Sequence, residues 1–257
     1  LRDKLLSGIL AGNTHATVGI SHLTTSRRHL GQPACRAIEK DGGYVVTGQS
    51  PWVTGACGAT HLVVGAEMPD GQQILFAIAS DTAGITIPKG FNLIALTASQ
   101  TGPVKFENVF VDSSSLLTEP AEQVLTVSGL TSTGSTQTSA LALGLATAAV
   151  NFIEQESLHR PDLLESIEAL KAQRLALKSR LLELASGVTT GTNAELRTDM
   201  NSFVLRTTQA SMAAAKGAGF VAGHPAGRWC CEALFFLVWS CPQAVIQANL
   251  CELAGIE

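Results

Sequence analysis

The feature that most constrains this chain is a change of period near residue 117. Before it, apolar residues come in short runs separated by turn residues, the pattern of strands. After it, they recur at three- and four-residue intervals, the pattern of helices packed on one face. A chain that changes its rule once, rather than alternating, builds a β unit followed by an α unit and not a βαβ sheet.

The strand signals are local. Residues 34–39 and 44–47 flank Asp41-Gly42-Gly43, and residues 61–65 and 74–78 flank Pro69-Asp70-Gly71. Both read as hairpins. Further runs fall at 85–87, 93–96, 104–106 and 109–111, and their spacing predicts an antiparallel β barrel or sandwich. A Ser/Thr/Gly stretch at 128–139 then leads into residues 140–153, small and apolar almost all round, as in a buried helix. Pro161 opens a second helix, in which Leu163, Ile167, Leu170, Leu177, Leu181 and Leu184 keep helical spacing until Gly187 stops it. Asn193 caps a third helix running to Lys216, Pro225 opens a fourth through Trp239, and Pro242 a short fifth ending near Gly255. The expectation is an α+β multidomain chain, with residues 1–118 a β-barrel domain and residues 119–257 an antiparallel helical bundle.

Composition excludes several functions. Charged residues are 15% of the chain against 46% apolar, and the net charge is −4. That is no disordered or nucleic-acid-coating protein. Low charge instead predicts surface covered by a second subunit, a further domain or a cofactor. The longest apolar run, residues 233–239, is far short of the ~20 residues of a membrane span, so none is expected. No apolar signal follows Leu1-Arg2-Asp3-Lys4. Cys230, Cys231, Cys241 and Cys251 lack metal-ligand spacing and predict free thiols in a reducing, cytoplasmic setting without a metal. Met occurs at 68, 200 and 212 but not at the first position. A fragment or processed piece is therefore expected.

Most short motifs reduce to structure. Gly217-Ala218-Gly219-Phe220-Val221-Ala222 matches a dinucleotide string but follows a helix, so it reads as a helix end. Ser21 and His22 are adjacent, and neighbouring side chains do not form a nucleophile–base pair. Arg27-Arg28 reads as a solvated turn or as a grip for one phosphate. Pro51-Trp52-Val53-Thr54-Gly55-Ala56 differs. A Trp and a Thr two apart in a strand share a face. The ring can cover a flat conjugated molecule while the hydroxyl bonds its edge, or the pair can simply fill a core.

The longer segment Gly43-Tyr44-Val45-Val46-Thr47-Gly48-Gln49-Ser50-Pro51-Trp52-Val53-Thr54-Gly55-Ala56 resembles a signature of the acyl-CoA dehydrogenase superfamily, Y-x-x-x-G-x-K-x-W-I-T-N-G, from its middle domain. Val104-Lys105-Phe106-Glu107-Asn108-Val109 is similar to that family's v-x-F-e-d-V strand. Ala142-Leu143-Gly144-Leu145-Ala146 resembles its first bundle helix, and Gly217-Ala218-Gly219-Phe220 its G-G-x-G-f turn. The resemblance covers nearly the whole chain. Residues 1–15 look like the linker from a preceding helical domain, which is expected to be missing.

The resemblance implies FAD, an acyl-CoA-type substrate and a homodimer or homotetramer. In that family a glutamate takes the α-proton of a fatty-acyl-CoA while flavin N5 takes the β-hydride. By resemblance Trp52 would pack on the flavin, Thr54 would bond near N5, and Ser21 falls at the Thr of the family's T-E-P-x-x-G-S-D loop. Departures are informative. The family's Y-E-G-T falls on Trp239-Ser240-Cys241-Pro242, so Ser240 occupies the position of the base, and a hydroxyl cannot act as a carboxylate. An alternative base position falls near Gly134-Ser135, with no Asp or Glu between Gln123 and Phe152. The R-x-x-F-G dimer motif is replaced by Glu156-Ser157-Leu158-His159-Arg160-Pro161. The expected function is an acyl-CoA-dehydrogenase-like flavoprotein without the usual glutamate. The alternatives are a degenerate member acting as a binding or structural oligomer, and a flavin-dependent oxidase or monooxygenase of the same fold, whose oxygen chemistry needs no α-proton base.

Overall fold

The turn at Asp41-Gly42 follows its sequence: both residues have positive φ, 51° and 78°, as a two-residue hairpin turn requires. It joins two antiparallel strands in a computed structural model that describes residues 2–24, 33–127, 136–188 and 191–256. The chain divides into two compact units, Leu1–Thr131 and Ser132–Glu257.

In the first unit, helix α1 (Arg2–Leu10) precedes strand β1 (Ala16–Gly19) and a single turn of helix, α2 (Ser21–Thr24). Then come β2 (Cys35–Lys40), β3 (Gly43–Val53), β4 (His61–Glu67), β5 (Gln73–Ala79), β6 (Ile85–Thr86) and β7 (Gly102–Asp112). They form one curled sheet in the order β1-β4-β2-β3-β7-β6, with β5 also paired to β4. A short helix α3 (Val124–Val127) follows. The sheet is mixed, which corrects the purely antiparallel expectation. β1 runs parallel to β4, with Ala16 opposite His61. No tight turn joins these two strands, so hairpin geometry does not dictate their direction.

Two further expectations change. Residues 93–96 form no strand; Leu96 has φ 58° and a 3-10 turn, Thr97–Ser99, follows. The runs at 104–106 and 109–111 are one strand, β7, interrupted at Asn108 (φ 52°). This kink turns Val109 and Val111 inward alongside Val104 and Phe106. Opposite it, Gly48 (φ 129°) has no room for a Cβ, which would collide with the Ala34 carbonyl. The β core holds Val46, Leu62, Val64, Ile74, Phe76 and Phe106. Phe76 and Phe106 meet edge to face at 6.4 Å. Burying side chains of this size contributes about 1.5–3 kcal/mol each.

The second unit is helical: α4 (Thr136–Ser157), α5 (Leu164–Ser186), α6 (Asn193–Ala215), α7 (Pro225–Leu234) and α8 (Gln243–Ala254). Pro161 starts a 3-10 turn, Pro161–Leu163, ahead of α5. Gly187 closes α5 at φ 76°, its amide donating to Leu184 O and that of Val188 to Glu183 O. The cap of α6 is Thr192 rather than Asn193. Its Oγ1 accepts from the Glu195 amide while its own amide donates to Glu195 Oε2, a reciprocal box for which the sequence T-x-x-E is the signal. α7 ends earlier than expected, at Leu234, and a 3-10 turn Phe235–Leu237 follows.

α4 buries one face and not its whole circumference. Ala142, Ala146, Ala149, Val150 and Ile153 lie in the core while Leu141 is exposed. Among the described residues α4 is also the one helix long and apolar enough, by length and composition, to cross a membrane, with 44% of its apolar window buried. Counting only uninterrupted apolar residues passes over it.

Candidate functional site

The C-terminal end of β3 carries the pair singled out in the sequence. Trp52 is 53% exposed, and its ring leans on Phe91 at a centroid distance of 5.0 Å and 56°. Thr54, just past the strand, is also exposed. The pair therefore does not fill the core; Val53 between them does, at zero exposure. An aromatic face left half open costs solvation of apolar surface, which a flat ligand would recover.

Two segments hold this end of β3. From β1, Thr17 Oγ1 donates to the Thr54 carbonyl at 2.5 Å, and Ser50 Oγ donates to Gly19 O at 3.1 Å. Gly19 fits because it has no side chain: a Cβ there would meet Ser50 Oγ at 2.6 Å and Val53 Cγ2 at 2.8 Å. From the loop before β7, the Gly55 amide donates to Ser99 O at 2.9 Å. The hydroxyls of Thr54 and Thr101 share a 3.0 Å hydrogen bond, and those of Thr101 and Ser99 a 2.9 Å one, each with either oxygen able to donate. Cys57 Sγ donates to Gln100 Oε1 at 2.6 Å. Leu96 and Gln100 both take left-handed φ, 58° and 45°. Such strain costs about 1–2 kcal/mol per residue and marks a loop held in place by its surroundings.

Ser21 begins α2, which packs on β3. Its hydroxyl oxygen is enclosed, and its neighbour His22 donates from Nε2 to Gly65 O at 2.8 Å. That bond uses His22 to pin α2 on β4. Arg27 and Arg28 lie outside the described residues, as do Gly134 and Ser135. Phe91, Ser99 and Thr101 were not legible as site residues. They join β3 from more than thirty-five positions away, and no local spacing announces such a contact.

Ser240 lies in the second unit, exposed, with φ 46°. The segment leading to it is tied to a buried cation. Arg197, on α6, has zero exposure; its Nη2 donates to Phe236 O at 2.9 Å and Trp239 O at 3.1 Å, and its Nε to Asn201 Oδ1 at 2.9 Å. Asn201 donates in turn to Phe236 O and to Asn249 Oδ1 on α8. The guanidinium also lies over the Phe236 ring, 5.8 Å from its centroid. Burial lowers the Arg197 pKa, an effect the nearby Cys241 opposes. Glu232 pairs with Arg228 at 3.6 Å, and Glu252 with the Ser202 hydroxyl. Arg160 donates to Ala214 O and Asp162. The spacing of Arg197, Asn201 and Val204 on one helical face, with Met200 between them, was the signal that this arginine points inward.

The β3 end fits a flat conjugated ring with a hydrogen-bonding edge. It offers an open aromatic face and, two residues on, a hydroxyl with capacity beyond its bond to Thr101. No family model matches the chain. It is 26% identical over 184 residues to the "Probable acyl-CoA dehydrogenase YngJ" of Bacillus subtilis (70% of this chain, 48% of that one). It is 38% identical over 80 residues to the amino sugar nitrososynthase RubN8 of Streptomyces rubradiris (30% of this chain, 19% of that one). Thus the chain spans about half the length of the Bacillus relative and less of the other. In structure it is similar to a glutaryl-CoA dehydrogenase from Mycobacterium smegmatis in complex with FADH2. The TM-score is 0.79 at 17% identity, covering 98% of this chain and 69% of that one.

Proposed function

Since neighbours in sequence and in structure both point to the acyl-CoA dehydrogenase superfamily, we propose that this protein is a flavoprotein oxidoreductase of that type, acting on an acyl-CoA-like substrate without the family's usual glutamate base. The observation that carries the reading is the outward-facing Trp52 and Thr54 at the end of β3. In it, residues 1–118 are the middle β domain and residues 119–257 the C-terminal bundle. FAD, when bound, supplies a two-electron acceptor for hydride. The chain's own part is positional. Trp52 covers a ring face and keeps water from it, Thr54 holds a hydrogen bond at the ring edge, and Ser21 closes the same end from α2. Ser240 has no carboxylate with which to take a proton.

Purified protein tests this directly. Flavin absorbance, as isolated or after reconstitution with FAD, supports the reading, and a colourless protein that takes up no FAD overturns it. Anaerobic bleaching by an acyl-CoA identifies dehydrogenation, and Ser240→Glu is expected to gain or strengthen it. A second reading, oxygen chemistry at a reduced flavin, is favoured by likeness to the nitrososynthase together with the serine at the base position. Oxygen uptake without anaerobic bleaching supports it. Flavin uptake with neither outcome supports a degenerate, binding role instead.

Self-association into a homodimer or homotetramer belongs to the same reading. It is supported by exposed Phe220, Val238, Leu250, Leu253 and Ile256 in the second unit. Six free cysteines support a reducing, cytoplasmic setting.

A further inference from the structure

Resting on the flavin reading above, we propose that Thr101 and Ser99 are positioning residues whose hydroxyl chain lets Thr54 serve both redox states of a bound flavin, by reversing the direction of its hydrogen bonds. The chain runs Thr54, Thr101, Ser99, with oxygen separations of 3.0 and 2.9 Å, and in both links either oxygen can donate.

The need for reversal follows from the ligand's chemistry. The ring-edge nitrogen of an oxidised flavin only accepts a hydrogen bond, while that of the reduced form carries a hydrogen and donates it. A partner at that edge must switch from donor to acceptor. A backbone amide or carbonyl serves one state alone, whereas a hydroxyl does both if its remaining partner switches with it. When Thr54 points its hydrogen outward, it accepts from Thr101, which accepts from Ser99. When Thr54 accepts, its hydrogen turns to Thr101 and that of Thr101 to Ser99. Ser99 is half-buried and turns its own hydrogen to solvent. Three hydroxyls rotate; every hydrogen stays on its own oxygen and no covalent bond changes.

The surroundings fix the oxygens and leave the rotors free. The Gly55 amide holds Ser99 O, and the Thr101 carbonyl accepts from the Phe91 amide at 2.8 Å. Thr17 occupies the Thr54 carbonyl, so the backbone of Thr54 is also pinned. None of these bonds uses a hydroxyl hydrogen of the chain.

The test compares dissociation constants for oxidised and reduced FAD across wild type, Thr54→Val, Thr101→Val, Thr101→Ser and Ser99→Ala, with thermal melting alongside. Without Thr101, the reduced form leaves the Thr54 hydrogen covered and unpaired, a heavier penalty than an empty lone pair. Thr101→Val is therefore expected to shift the affinity ratio toward oxidised FAD by about three- to tenfold. Thr101→Ser restores the ratio, and Ser99→Ala shifts it the same way by less, because water reaches that position. An unchanged ratio in Thr101→Val, where Thr54→Val does change it, overturns the proposal while leaving the flavin reading intact. If Thr101→Val melts early, the Ser99→Ala ratio decides in its place: a shift toward oxidised FAD supports the chain, and none overturns it. Wild type that binds no FAD overturns the flavin reading itself and the chain's role with it.

Discussion

The end of β3 and the segment before Ser240 treat their polar groups in opposite ways. At β3, an indole and a hydroxyl are turned outward and the loops behind them are stitched down. Before Ser240, a guanidinium is turned inward and spent on holding two carbonyls, so that segment is fixed from within. One region leaves its groups open over a fixed backing; the other closes them on itself. The lesson is that exposure with rigid backing, more than residue identity, separates a binding end from a packed one.

Substitutions break this comparison most sharply at Arg197. Arg197→Ala is expected to destabilise the protein by about 3–5 kcal/mol, since the Trp239 carbonyl and Asn201 Oδ1 lose the guanidinium, Phe236 O keeps only Asn201, and a cavity opens. Arg197→Met refills the volume and is expected to cost about 1–3 kcal/mol for the Trp239 carbonyl and Asn201 Oδ1 left without the guanidinium, since Asn201 still donates to Phe236 O. Denaturant or thermal melts read both. At the other end, Trp52→Ala is expected to change stability by less than about 1 kcal/mol yet weaken FAD binding about tenfold. Equal stability losses at Trp52 and Arg197 would erase the distinction.

Thiol chemistry sharpens the contrast between interior and surface without mutation. Burial pushes the Cys35 thiol up to about 12, whereas Cys57 is exposed. At pH 8 an alkylating reagent is expected to modify Cys57 and spare Cys35 until the protein is unfolded, as peptide mass spectrometry would read. Smallest is a pH effect in the helical unit. Backbone and side-chain hydrogen bonds from Thr192 hold the Glu195 carboxyl below its ordinary 4.5, and Lys171 does the same for Glu154. A lowered carboxyl pKa contributes stability above its unfolded value and loses it as pH falls through the folded one. The melting temperature is therefore expected to drop modestly below pH 4.5, and Thr192→Ala to remove part of that drop.

The hairpins at Asp41-Gly42 and Pro69-Asp70-Gly71 and the helical period after residue 117 were legible because their causes lie within a few residues. The direction of β1 was not, because its partner β4 lies some forty positions on and nothing in Ala16–Gly19 encodes an orientation. The same divide runs through the candidate site. Trp52 and Thr54 announce a shared face by their spacing. Phe91, Ser99 and Thr101 become neighbours only after β7 pairs with β3. Residues 93–96 misled because a short apolar run states nothing about φ, and Leu96 takes the left-handed value.

The parallel pairing of β1 also bears on the order of assembly. Ala16–Gly19 precedes His61–Glu67 by some forty positions, and β4 is the strand it pairs with in the sheet. The β2–β3 and β4–β5 hairpins are short-range and are expected to close first, while β1, some forty positions from its partner, docks on the edge of β4 opposite β5. The bonds from Thr17 to Thr54 and from Ser50 to Gly19 close with it. The end of β3 is therefore complete only when two distant segments, β1 and the loop before β7, have both reached it.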